Sequence, residues 1–263
     1  MQFKLDLTVQ VLVAFCFCPS HGFHHKLPRN INEKPTTVVG GVTVIDTPLV
    51  RAAQVYARQY SDDFLYNHVM RTWLFGVLFI NNNATLQNTT DLEVHALGAL
   101  LHDLGLGGLS LNASFITENR RFEVDSGFAA TDFVKDQVED ADESSDWEAQ
   151  RLQLLWDSIV LSSEPKFSLY KEATVQTVTY GVLIDLSNSS GAEYNISSAD
   201  YNGVVADFPY LNFLSGVNQT LVELATRKPN STYDSWQQAF GDAFVPHYSA
   251  FGYRFLDIFN PPA

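Results

Sequence analysis

Cysteine is nearly absent from this sequence: of 263 residues only Cys16 and Cys18 carry a thiol. Both fall in an apolar stretch close to the N-terminus, so no disulfide can staple the rest of the chain. Stability must come from packing or from a bound ion. Basic residues are also scarce, with 16 Lys and Arg against 30 Asp and Glu and a net charge of −14. Such a surface repels nucleic acid and anionic membranes and leaves a neutral small molecule as the easier partner. Beyond the first 22 residues no apolar run is long enough to span a bilayer. Alternating strand patterns are few, which speaks against a sandwich or barrel and for an all-α fold.

What the chain does have begins with "MQFKLDLTVQVLVAFCFCPSHG", a lysine followed by a short apolar core and then small, helix-breaking residues. That order describes a secretory signal peptide over residues 1–22. Residues 23–45 hold Pro28, Pro35, Gly40 and Gly41 between short apolar pieces and read as an extended arm. One domain is expected over residues 46–263. Asn83, Asn88, Asn112, Asn188, Asn195, Asn218 and Asn230 each begin an N-x-S/T triplet, which suits a secreted, extracellular glycoprotein of eukaryotic origin. Cleavage after Ser20 would expose His21 as an N-terminal copper chelator, but such copper enzymes are β-sandwiches and this chain reads as helical.

Helical signals start at "DTPLVRAAQVYARQY", where Asp46 or Thr47 can cap and Pro48 suits the first turn. "DDFLYNHVMRTWLFGVLFI" follows and ends in a polar loop, "NNNATLQNTTD". A third helix, capped at Thr90 or Asp91, runs through "VHALGALLHDLG" and is closed by Gly105, Gly107 and Gly108. Further helices are predicted over 126–140, 146–161, 171–186, 210–227 and 233–244. The acidic "VEDADESSDWE" lacks the glycine and terminal glutamate of a calcium loop and reads as a solvated junction.

Histidine is limited to seven positions, and three of them lie in predicted helices otherwise rich in apolar residues: His68, His95 and His102. Asp103 follows His102, and Asp185 sits inside the apolar "TVTYGVLIDLSN", where an unpaired charge would cost several kcal/mol by order of magnitude. Each polar group taken singly could be satisfied by a backbone carbonyl or a nearby arginine. Together, two imidazoles and two carboxylates from three helices can hold one divalent transition ion, zinc first and iron second, with positions left open for water.

The order His, His-Asp, Asp on successive helices resembles the HD-domain superfamily of metal-dependent hydrolases. The pieces "DTPLVRAAQVYAR", "YNHVMRTWLFG", "ALLHDLGL", "RFEVDSGFAA", "LLWDSIVL", "GVLIDL" and "LATRKPNSTYDSWQQAFGDAFVP" are similar to its fungal cyanamide hydratase-like branch. The resemblance implies a helical HD bundle with additional C-terminal helices and the metal ligands His68, His102, Asp103 and Asp185. It implies a hydrolase or hydratase that activates water for attack on a small nitrile or amide-like substrate. One ion is expected, since dinuclear members add histidines between the HD pair and the last aspartate and none occurs between His102 and Asp185. Where the family reads "DAIxLHT" this chain reads "DSIVLSS", so Ser162 replaces a histidine that could touch substrate.

Several further residues are candidates. Asp103 or Asp157 could relay a proton, Asp157 being alternatively a surface carboxylate. Arg71, one turn from His68, could neutralise a ligand carboxylate or grip substrate. Glu123 could transfer protons near the metal, whereas Asp125 reads as the cap of a helix starting at Ser126. His95 shares a face with His102 and reads first as a core histidine, second as a pocket residue. The rival functions are a nucleotide phosphohydrolase and a metal-stabilised binding protein without turnover.

Overall fold

The computed structural model describes residues 34–140, 146–187 and 191–261. The expected leader, residues 23–33 of the arm and the sequon at Asn188 lie outside them. The architecture is a mostly helical bundle with extra C-terminal helices, preceded by a small hairpin. Among the described residues no helix is long and apolar enough to cross a membrane.

The last part of the expected arm is an antiparallel hairpin, β1 (Thr36–Val39) and β2 (Val42–Ile45), turning through Gly40 and Gly41 at positive φ. Val42, Val44 and Ile45 are buried, so this segment belongs to the main core. Helix α1 (Pro48–Gln59) is capped by the Thr47 hydroxyl, which accepts from Val50 N. Helix α2 (Asp63–Asn81) is capped by Asp62, and its middle, from His68 to Val77, is buried all round. It is the axis of the bundle, and an all-round apolar helix can only exist there.

The loop read at "NNNATLQNTTD" contains a short helix, α3 (Ala84–Thr89), capped by the Asn83 side chain. Helix α4 (Leu92–Leu101) is capped by Asp91, and a second helix, α5 (Leu104–Ser110), follows almost at once. The glycines expected to end the chain's helical run are therefore helical. Their lack of a side chain is spent on close packing: a Cβ on Gly107 would stand 1.8 Å from the Tyr60 carbonyl oxygen. Tertiary packing here overrides a residue type that is poor in helices.

Helix α6 (Phe122–Asp140) starts four residues before the predicted Ser126, so Asp125 lies inside its first turns. Helices α7 (Ala149–Val160), α8 (Pro165–Ser168) and α9 (Ala173–Ser187) complete the bundle. Helix α9 packs along α2 more extensively than any other pair, and Gly181 sets the distance, since its Cβ would stand 2.2 Å from the Thr72 carbonyl oxygen. That crossing brings Asp185, one turn on from Gly181, level with His68 and Arg71. The C-terminal layer comprises α10 (Ser198–Asp207), α11 (Phe213–Arg227), α12 (Gln238–Phe244) and α13 (Phe255–Phe259). A second apolar cluster, including Phe64, Leu65, Phe122 and Phe213, ties this layer to the bundle.

Candidate metal centre

The break between α4 and α5 creates the site. In a continuous helix adjacent residues point about 100° apart. At Asp103 the backbone leaves the helix, with φ −104° and ψ 14°, and the two side chains turn to one side. Aspartate at the start of a helix ordinarily caps it. Asp103 occupies that position for α5, yet its side chain makes no capping hydrogen bond. The carboxylate is aimed elsewhere.

It is aimed at two imidazoles. Asp103 Oδ2 stands 3.5 Å from His68 Nε2 and 3.5 Å from His102 Nε2, and the two nitrogens are 3.3 Å apart. The carboxylate contacts exceed normal hydrogen-bond length. His102 Nδ1 donates to the Ala99 carbonyl at 2.8 Å, and His68 Nδ1 donates to Asp185 Oδ2 at 2.6 Å. These two hydrogen bonds require the proton on Nδ1, and in the neutral form of such a ring Nε2 presents a lone pair. Burial pushes His102 below the ordinary histidine pKa, against the pull of Asp103, so its ring is neutral near pH 7.

Three lone-pair atoms thus converge in a buried place, with His68 and His102 3% exposed and Asp103 6% exposed. A point equidistant from the corners of a triangle with those sides lies about 2.0 Å from each corner, the length of zinc–imidazole and zinc–carboxylate bonds. The donor set, two imidazoles and one carboxylate, fits a divalent transition ion.

Asp185, expected as the fourth ligand, is not among the converging atoms. Its carboxylate is held by His68 Nδ1 and by a two-pronged contact from Arg71, Nε to Oδ1 at 2.5 Å and Nη2 to Oδ2 at 3.0 Å. Burial alone would raise its pKa, but the His68 hydrogen bond and the Arg71 charge outweigh it and hold the carboxyl below its usual value. The cation expected from a metal is supplied to Asp185 by Arg71. Asp185 then fixes the orientation and tautomer of His68, as a carboxylate behind a metal-binding histidine does.

Each Arg71 nitrogen is engaged, since the remaining one donates to the carbonyls of Phe208 and Pro209. Its guanidinium lies 4.0 Å over the Tyr210 ring. Phe213 stacks on His68 with ring centroids 4.8 Å apart. Sequence reasoning missed both aromatics, because nothing local distinguishes Phe213 among 19 phenylalanines.

The other candidates are engaged away from these atoms. Asp157 takes a hydrogen bond from Gln153 and an ion pair from Lys171 at 2.8 Å, as a surface carboxylate would. Glu123 is buried and accepts from Arg121, Ser163 and Gln237. Asp125 caps no helix; it holds Thr117 and the Lys228 ammonium at 2.7 Å. His95 bridges Thr177 Oγ1 and the Trp73 carbonyl inside the core, where burial lowers its pKa to about 4. Ser162 is buried at the end of α7 and joins none of the hydrogen bonds of the cluster. Of the described sequons, Asn88, Asn112, Asn195 and Asn230 are exposed, and Asn83 and Asn218 are half-buried.

Fold and site together define a class: a helical protein with a buried His-His-Asp cluster able to hold one metal ion. Compared with known protein families and with curated proteins, the chain matches none.

Proposed function

We propose that the chain is a mononuclear metal-dependent hydrolase or hydratase of the HD type, acting on a small, neutral, nitrile- or amide-like substrate. The observation that carries this reading is the triangle of His68 Nε2, His102 Nε2 and Asp103 Oδ2, three buried potential ligand atoms about 3.4 Å apart. Zinc or iron, when bound, supplies Lewis acidity and lowers the pKa of a water toward neutrality.

The chain's own residues set the rest. Ala99 O and Asp185 fix the two histidine tautomers. Arg71 neutralises Asp185, so that carboxylate stays ionised and does not draw the proton from His68 Nδ1. Asp103 Oδ1 makes no hydrogen bond among the described residues and would accept a proton from incoming water. Phe213 forms an apolar wall beside His68, which favours a small substrate over a highly charged one. Arg71, the cation nearest His68 in its own helix, is already engaged by Asp185 and the Phe208 carbonyl rather than held ready for a phosphate. That argues for the neutral substrate over the nucleotide.

The test is metal analysis of the purified protein followed by parallel assays: urea or ammonia release from cyanamide, short nitriles and amides, and phosphate release from nucleotides. About one equivalent of zinc or iron with urea or ammonia formation is expected. Phosphate release alone would replace the substrate class, and a metal-loaded protein inert to every substrate would favour a binding role. Ser162→His tests specificity, with cyanamide turnover expected to rise if the serine marks a departure from that substrate.

A further inference from the structure

The C-terminal end of the chain leaves a large apolar face uncovered. Phe251, Tyr253, Phe255, Leu256, Ile258 and Phe259 are each between 58% and 70% exposed. On α13 the geometry is simple: at 100° per residue, 255, 256, 258 and 259 spread over about 160° of the helix surface, and 257 lies opposite. Asp257 is accordingly buried, and the four apolar residues all look outward.

This face is held in place. Asp257 accepts from the backbone N–H groups of Gly252 and Arg254 and pairs with the Arg254 guanidinium at 2.6 Å. Phe255 N donates to Asp234, pinning the start of α13 to the body of the protein. Arg254 and Asp257 are the only charges of Lys, Arg, Asp or Glu type after Asp242, and they cancel each other. In a chain of net charge −14 the segment's own charges cancel, with the Asp234 carboxylate, held by Phe255 N, at its edge. It also carries no glycan acceptor, since no N-x-S/T triplet follows Asn230.

At 150–250 Å² for an aromatic side chain and somewhat less for an aliphatic one, these exposures amount to about 700 Å² per chain. That exceeds the roughly 300–600 Å² of the largest patch on a typical monomer. Two such faces together make about 1,400 Å², within the range of specific, stable protein interfaces. We propose that the α13 face is a two-fold interface with a second copy of this chain. A self-complementary apolar patch whose central charges, Arg254 and Asp257, cancel suits a two-fold axis, because identical residues meet there and Asp234 stays at the rim. An anionic membrane fits less well, since the face has no free cation to attract it and the body of the protein repels it.

Sedimentation of the purified protein across a micromolar concentration series decides the matter. A dimer is expected, tighter at higher salt because the charged bodies repel less. Leu256→Glu with Phe259→Glu should weaken it by at least about a hundredfold, with an unchanged far-ultraviolet circular dichroism spectrum. Val55→Glu, an equally exposed apolar position on α1, should leave it intact. A wild-type monomer at every concentration would overturn the proposal, as would a dimer that survives the double variant. Flotation of a monomer with phosphatidylcholine vesicles would assign the face to lipid instead.

Discussion

Two buried groups of carboxylates in this chain are built in opposite ways. Around α6, Glu123 and Asp125 are fully buried, and each has donors within the chain: Arg121, Ser163 and Gln237 for the first, Thr117 and Lys228 for the second. At the α4–α5 break, the Asp103 carboxylate has as its ion-pair partners among the described residues two imidazole nitrogens at 3.5 Å, which present lone pairs when the rings are neutral. A closed set of donors and acceptors is what a structural network needs, whereas a convergence of acceptors calls for a cation from outside. Burial and acidity are shared by both regions, so neither property marks the functional one. The direction of the lone pairs does.

The sharpest way to break this contrast is to remove a converging atom. His102→Ala and Asp103→Asn should each take metal content from about one equivalent to none and abolish activity. Chelation should destabilise the wild type by about 3–4 kcal/mol if metal is held at 100 to 1,000 times its dissociation constant, and should leave either variant unmoved. Elemental analysis and melting with and without chelator read both effects. A variant that keeps its metal and its melting temperature would remove that residue from the ligand set.

Lys228→Met makes the complementary cut. It strips Asp125 of its cation inside the protein, which should cost about 3 kcal/mol in a denaturant titration while metal content stays at one equivalent. Metal loss in this variant without unfolding would mean that the two regions are not separate.

Asp185 stands between the two patterns, since it is closed by Arg71 yet touches a ligand. Asp185→Asn should lower metal affinity by about 10- to 100-fold, the effect of a group that orients a ligand from behind. Competition against a chelator of known affinity measures it. Complete loss of metal, as in Asp103→Asn, would make Asp185 a ligand itself.

The limits of the sequence follow the same line. Histidine is scarce enough that His68 and His102 stood out, and the all-helical reading rested on long periodic segments such as α2 and α4. Which carboxylates were spoken for was illegible, because their partners are distant in sequence: Gln237 lies 114 residues from Glu123, and Lys228 lies 103 from Asp125. Arg71 was recognised as a possible neutraliser of a carboxylate, but its choice of Asp185 depends on the α2–α9 crossing that Gly181 permits. Helix α5 was missed because glycine reads as a stop, although here it permits contact with Tyr60. Helix α13 was missed because five residues carry too little periodicity.

The smallest effect concerns His95, a histidine as buried as His102 but closed within the core by Thr177 and the Trp73 carbonyl. Burial, only partly offset by that carbonyl, lowers its pKa to about 4 from an ordinary 6.5. Between those values the unfolded chain binds the proton and the folded one does not, so stability is lost as pH falls from 6.5 toward 4. The loss should be about 1 kcal/mol between pH 6.5 and 5.5. His102 is shifted in the same direction, so the measurement belongs in excess metal, where coordination keeps that ring from taking a proton. Under those conditions His95→Gln should flatten the dependence of unfolding free energy on pH, at some expense in absolute stability, and leave metal content unchanged. An undiminished slope in the variant would show that His95 is not the titrating core histidine, and loss of metal would carry it across to the other side of the comparison.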